Sequence, residues 1–392
     1  MAQSSPVITG IGCISCVGDG CNDTSASLFR QPVLPAPSIY AGSTLDFPVF
    51  ELTGFKSEKD QPGGRTLALL RHALDQALLQ AALPPQELAS LRVGVCIGTT
   101  IACQLNNIPF YAELRASGTA PAKPLINFIS GSPAEWIRRE YALNGPALAV
   151  SNACSSGTDA IGMASLWVRS GLCDIAIAGG ADELNKVPMA GFHALGVCSK
   201  SPCRPFDSSR DGLNLGEGSG VVIIESAESA GRRGISPLFS VAGYGTAADG
   251  FHITKPRPDG SGLEQAVNCA MKTAGIQASD IAFVNAHGTG TGGNDSLEAS
   301  VLFRIFGSSV KYLSTKRMTG HTLGAAGALE FIFSGMMLSE GRAGPSHGFE
   351  NLPDDIPVAP LTSPITINGR FALSTSLAFG GCNSALIVER PG

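Results

Sequence analysis

The sequence predicts an α/β fold built on largely buried sheets. Three observations carry that prediction. Apolar runs of four to seven residues recur along the chain, and stretches with apolar residues at helical spacing lie between them. Hydrophobic residues make up 44% of the 392 positions and charged ones 15%, so most of those runs must be buried. The glycines cluster beside β-branched runs, as in "VGVCIGTT" and "DIAIAGGADE", where a strand turns sharply or a second backbone comes close.

In chain order, strands are expected at 6–12, 93–98, 147–151, 174–180, 221–226, 281–288, 311–315, 371–379 and 384–389. A helix is expected over 65–83, whose apolar positions recur every three or four residues until Pro84 and Pro85 stop it. Further helices are expected over 155–171, ended by Gly171, over 263–275 and over 327–341. Residues 32–62 and 186–212 carry prolines and no clear period, so both read as loops, the second of the kind that lines sites. The helix–strand succession runs once before about residue 240 and again after it. Two halves, 1–240 and 241–392, follow, with no Pro/Ser linker between them.

A net charge of −5 argues against a broad nucleic-acid-binding surface. No apolar stretch reaches the ~20 residues of a bilayer span, and the N-terminus lacks the basic and apolar regions of a signal peptide. A cytoplasmic location is the expectation. There, eleven scattered cysteines read as reduced, small buried residues rather than a disulfide framework, although Cys13, Cys16 and Cys21 have spacings that resemble a redox or metal motif.

One cysteine stands apart. Cys154, in "SNACSSGTDAIG", follows an apolar run and precedes a helical pattern, which puts its sulfur at a helix N-terminus. Unpaired N–H groups there favour a thiolate and can hold a developing oxyanion. His287, in "NAHGTGT", leaves a strand end into a Gly-rich loop. His321, in "TKRMTGHTLGAAGALE", lies five residues beyond Lys316 among small residues.

These motifs, with "RPFDSSRDGLNLGEGSGVVIIE" and "FGGCNSALIV", resemble the β-ketoacyl-acyl-carrier-protein synthases, above all the elongating synthase II, over nearly the whole chain. The resemblance implies the thiolase-like fold, with duplicated α/β halves stacked as five layers. It implies a decarboxylative Claisen condensation of an acyl-enzyme with malonyl-acyl carrier protein, extending a fatty-acid, polyene or polyketide chain by two carbons. It makes Cys154 the nucleophile and His287 and His321 the pair that stabilises the enolate. Lys316 is expected to tune His321, with Glu330 as its partner. Cys154 and Phe379 are expected to form the oxyanion hole, with Phe379 and Gly380 in the gating "FGG" loop. Thr254, Thr289 and Thr291 match positions that bind the phosphopantetheine arm. The resemblance needs no metal and no cofactor of the enzyme's own, because the 4'-phosphopantetheine arrives on the carrier protein.

The partners implied are that acyl carrier protein and a second subunit, in a homodimer or in a heterodimer with a related ketosynthase or chain-length factor. Arg65, Arg71, Arg138, Arg139 and Arg204 are candidates for docking the acidic carrier. Cys382 reads as a small-residue replacement rather than the second cysteine of a thiolase, and Cys13 and Cys16 fall at ordinary strand-end and loop positions. Four departures bear on substrate: Lys255 stands where synthase II has a serine, the segment before "RPFD" and the region between "GTTIAC" and Cys154 are shorter than in synthase II, and "CSSG" is nearer to polyketide ketosynthases. A non-catalytic chain-length factor would lack the nucleophile, and a degradative thiolase would not need two histidines.

Overall fold

The computed structural model describes residues 6–39, 47–57, 64–100, 107–130 and 132–391. Ten principal strands build the fold. They are β1 (Pro6–Ser15), β2 (Val93–Gly98), β3 (Ala147–Val150), β4 (Ile175–Asp182), β5 (Gly218–Ser226), β6 (Phe239–Ala248), β7 (Ile281–Asn285), β8 (Tyr312–Leu313), β9 (Phe371–Ala378) and β10 (Cys382–Glu389). Their order across the sheet is 3-2-4-5-1 followed by 6-10-9-7-8.

Read outward from the centre, the two runs are the same order with five added to each number. The strand directions repeat as well. β2 runs parallel to β3 and β4, while β5 is antiparallel to β4 and β1. Likewise β7 runs parallel to β8 and β9, while β10 is antiparallel to β9 and β6. Among the described residues the runs join only where Val7 and Ile8 of β1 meet Ser240 and Phe239 of β6. This duplicated α/β architecture is the one the family resemblance implies.

The helices repeat in step with the strands. α1 (Gly64–Gln80) covers β1, and α5 (Ser261–Ala274) covers β6. Each approaches so closely that its strand has glycine beneath it. A Cβ on Gly10 or Gly12 would stand 2.1 or 1.9 Å from a carbonyl oxygen of α1, and one on Gly243 or Gly245 would stand 2.2 or 2.1 Å from one of α5. α3 (Ser156–Arg169) and α7 (Ala326–Glu340) pack against each other between the halves. At their crossing a Cβ on Gly157 would lie 2.7 Å from Gly324 O, and one on Gly327 would lie 1.9 Å from Thr158 Oγ1. α7 is buried along nearly its whole length, which fits a helix apolar on all sides. Together α1, the first sheet, the α3/α7 pair, the second sheet and α5 make five layers.

Several elements differ from expectation, among them the helices Asn107–Ser117, Lys123–Ser130 and α2 (Pro133–Glu140), for which no helix was expected. β6 was hidden because "FSVAGYGTAA" alternates small and apolar residues and has no continuous apolar run. Within the expected loop at 186–212, Lys186–Ala194 forms α4, started by the Asn185 side chain accepting from Val187 N at 2.9 Å. Gly292–Phe306 forms α6, whose glycine-rich first turn masks its period. In the described part of 32–62 the chain makes only isolated bridges, among them Ala36 with Val49 and Phe50 with Gly216. No helix among the described residues is long and apolar enough to cross a membrane.

Gly327→Ala should destabilise the fold by roughly 1–3 kcal/mol, because the new methyl overlaps Thr158. Gly191→Ala, in α4 with nothing within 4 Å of a new Cβ, should leave stability unchanged or slightly raised. Urea unfolding of the two variants checks the contrast.

Candidate active site

Cys154 sits on a sharp turn between β3 and α3. Ala153 opens a single 3-10 turn at φ 47°, a left-handed conformation that costs a non-glycine residue about 1–2 kcal/mol. Three side chains hold it there. Ser156 Oγ accepts from Asn152 N at 2.8 Å and donates to Ala153 O at 2.6 Å, and Ser155 Oγ lies 2.9 Å from both Asn152 O and an Asp159 carboxylate oxygen. Both serines are fully buried and neither lines the cavity beside Cys154. The "SS" of "CSSG" therefore braces the backbone and touches no substrate surface.

The second half builds a matching turn. Leu323 opens another 3-10 turn at φ 55° before α7, and His321 lies just ahead of it. Gly324 N donates to Asp182 at 2.7 Å, a carboxylate that also receives the Thr99 and Thr100 hydroxyls at 2.8 Å each. Leu323 N donates to His321 Nδ1 at 3.2 Å. His287 follows β7, and two buried carboxylates of α6 hold its loop. Glu298 accepts from the amides of His287 and Gly288 at 2.8 Å each, and Asp295 accepts from Gly290 N. Sequence reasoning missed Asp182, Asp295 and Glu298. Their signal was present as acids within about two turns of a Gly-rich motif.

The three expected groups converge. Cys154 Sγ and one ring nitrogen of each of His287 and His321 lie within 4.8 Å of one another, and the two rings meet edge to face at 5.2 Å. Lys316 differs from expectation. Its ammonium reaches His287 Nδ1 at 3.1 Å, not His321, and pairs with Glu330 at 2.5 Å. Both imidazoles thus accept at Nδ1, which leaves the proton on Nε2 of each.

Burial sets the protonation states. It pushes the Cys154 thiol up to about 12, against the opposing pull of Lys316 and of the Phe379 amide that donates to the sulfur. That direction is opposite to the thiolate that the sequence suggested, and its largest cause is desolvation. Burial, then the Lys316 charge, hold both histidines well below their ordinary value. Glu330 is raised to about 7 by burial, with Lys316 opposing. Cysteine and two histidines are metal-ligating types, but a dication among them would sit beside the Lys316 ammonium, whose charge opposes it.

A cavity of about 710 Å³ leads from exposed Lys255 to the buried thiol. Thr254, Thr289 and Thr291 line it, with the last two hydroxyls 2.8 Å apart. Phe379 lines it too and stacks at 5.5 Å on Phe192 of α4, which in turn meets the His321 ring edge-on. Phe192 carries no sequence signal of its own, because Pro188 and Gly191 break the period of its short helix.

The family description "Beta-ketoacyl synthase, N-terminal domain" matches residues 55–230, and "Beta-ketoacyl synthase, C-terminal domain" matches residues 238–350. The chain belongs to the β-ketoacyl synthase family. This synthase is 32% identical, over 407 aligned residues and 98% of each chain, to the 3-oxoacyl-[acyl-carrier-protein] synthase 2 of Staphylococcus aureus (strain COL). Its structure is similar to that of the ishigamide ketosynthase/chain length factor, with a TM-score of 0.92 and 28% identity over all of both chains. It is also similar to the type II polyketide synthase complex of AntDE with the acyl-carrier protein AntF, with a TM-score of 0.89 and 25% identity over all of both chains.

Other expectations are corrected or refined in the synthase. The Gly380 amide donates to Ile253 O at 2.7 Å, so it anchors the 250s loop and is not free for an oxyanion. Cys382 faces the Asn152 side chain and does not line the cavity. Arg65 is excluded as a carrier contact: it is buried and bonded twice to Glu217, at 2.9 and 2.7 Å. Arg71 pairs with Glu140, Arg138 and Arg139 with Glu135, and Arg204 with Glu350. Among the described residues, Lys255 at the cavity mouth has no carboxylate in ion-pair range.

Because the thiol rests protonated, alkylation of Cys154 by iodoacetamide should accelerate about tenfold per pH unit between roughly pH 7 and 9. Residue-resolved mass spectrometry reads the slope.

Proposed function

We propose that the protein performs the decarboxylative condensation of its family, with Cys154, His287 and His321 as the reacting centre. The convergence of these three groups at the end of one cavity carries the reading. In the first half-reaction the Cys154 sulfur attacks the acyl thioester. Its proton passes to the departing pantetheine sulfur, so a neutral thiol serves as the resting nucleophile. The oxyanion is held by the amides of Cys154 and Phe379, the latter already donating to the sulfur.

In the second half-reaction a malonyl thioester loses carbon dioxide. The electron pair left behind delocalises onto the thioester oxygen, and the Nε2–H groups of His287 and His321 stabilise it. Neutral imidazoles suit this role because they donate without binding the malonyl carboxylate as ions would, which leaves that carboxylate free to depart. The carbanion then attacks the acyl-enzyme, and the released Cys154 takes a proton from water. Lys316, paired with Glu330, keeps the proton of His287 on Nε2.

Thr254, Thr289 and Thr291 line the path of the phosphopantetheine arm, and the enzyme carries no cofactor of its own. The carrier protein docks at the cavity mouth beside Lys255 in this reading, and the chain works in the cytoplasm as two duplicated halves that meet near residue 240. A second reading concerns the partner. The full-length likeness to a ketosynthase/chain length factor, together with the "CSSG" signature, favours assembly with a related subunit over a homodimer. Native mass spectrometry of the chain expressed with and without its neighbouring gene products separates the two.

Cys154→Ala should abolish acyl transfer with folding retained, as read by mass spectrometry of the acyl-enzyme. His321→Ala and His287→Ala should each slow malonyl decarboxylation by roughly 10²–10³ and slow acyl transfer far less. Lys255→Glu should raise KM for carrier-bound substrate at low salt and leave kcat for a free pantetheine thioester unchanged; unchanged KM would exclude docking at this mouth.

A further inference from the structure

Beneath the nucleophile lies a carboxylate that the reaction does not use. Asp159, two turns into the "NACSSGTD" run, is only 4% exposed and accepts four side-chain hydrogen bonds. One oxygen takes the Asn152 amide at 2.6 Å and the Ser155 hydroxyl at 2.9 Å, the residues two before and one after Cys154. The other takes the Tyr244 hydroxyl at 2.9 Å and the Ser384 hydroxyl. Tyr244 lies on β6 and Ser384 on β10, both in the second half of the chain.

Ser384 belongs to the β9–β10 hairpin, whose loop is Phe379-Gly380-Gly381 and whose closing pair is Ala378 with Cys382. The Phe379 amide donates to Cys154 Sγ from that loop. The same carboxylate thus grips both segments that face the sulfur. Gly162 leaves the room this requires: a Cβ there would stand 2.3 Å from the Tyr244 ring, which lies across α3 with its hydroxyl at Asp159.

We propose that Asp159 is a positioning residue that sets the Cys154 turn in register with the 379–381 loop, so that the Cys154 and Phe379 amides point at one oxygen. The inference rests on the condensation reading above. The left-handed Ala153 is what makes such a tie necessary. Without Asn152 and Ser155 held from below, the turn can relax toward ordinary helix and rotate the Cys154 amide away. Two amides serve as an oxyanion hole only when both lie near 3 Å from the same point, so an error of about 1 Å in either segment removes the benefit.

The decisive variant is Tyr244→Phe with Ser384→Ala, which cuts the tie that Asp159 makes to the second half and leaves the Cys154 turn its own contacts. Acyl transfer from an acyl-carrier thioester to Cys154 should fall at least about 10-fold. Malonyl-thioester decarboxylation on the same preparation, which depends on the histidines, should stay within about twofold. Asp159→Ala should show the same split more strongly. Asp159→Asn should recover acyl transfer, because its oxygen can still accept from Asn152 and Ser155 while the two hydroxyls reverse to accept from its amide. Equal loss of both steps, or unchanged acyl transfer in the double variant, would overturn the positioning role. Failure of the unmutated chain to acylate at Cys154 would overturn the condensation reading, and this inference with it.

Discussion

The site depends on the contact between two helices that nearly touch at their N-termini. α3 and α7 can cross this closely only because Gly157 and Gly327 present no Cβ, and each brings one half's left-handed turn to the centre of the molecule. Cys154 arrives from one side and His321 from the other. Neither half alone could place a thiol within 4.8 Å of two imidazoles, so the reacting centre is a property of the crossing.

That placement determines the electrostatics. A centre between two sheets is dry, and a dry centre favours neutral groups. The thiol and both imidazoles rest uncharged, and the charge that remains is the Lys316–Glu330 pair, held beneath the histidines. Charge then develops during reaction against fixed N–H donors and not against water. The carboxylates Asp182, Glu298, Asp295 and Asp159 serve the same end by fixing backbone at the edges of the centre. Each sits where a glycine or a left-handed residue makes the chain pliable.

Much of this was legible in the sequence, and what was not has a physical reason. Nine of the ten principal strands and the helices α1, α3, α5 and α7 announced themselves by period, because buried strands and a helix apolar on all sides leave unbroken runs. Cys154, His287 and His321 could be picked out by their place at strand ends among small residues. β6, α4 and α6 were not legible, since Gly, Ala and Pro erase the period there while tertiary packing enforces the structure. Nor could spacing say that Lys316 would reach His287 instead of His321, or that Arg65 would turn inward to Glu217. Those depend on side-chain direction in a packed interior. The preference for a neutral thiol was invisible for a related reason: a helix N-terminus can be read from sequence, but the depth at which it is buried cannot.

The two left-handed turns carry an evolutionary consequence. Ala153 and Leu323 occupy corresponding places, so the seat that Cys154 fills in one half is filled by Gly324 in the other. Duplication supplied two equivalent seats, and only one carries a reactive atom. Neither the Asn152, Ser155 and Ser156 bonds nor the helix crossing uses the sulfur. The thiol can therefore be lost in one mutational step with the turn and the helix crossing kept, the Phe379 amide losing its acceptor. A silent sibling that keeps the shape and abandons the chemistry is always one codon away, and a duplicated gene copy is free to take that step and persist as a companion subunit.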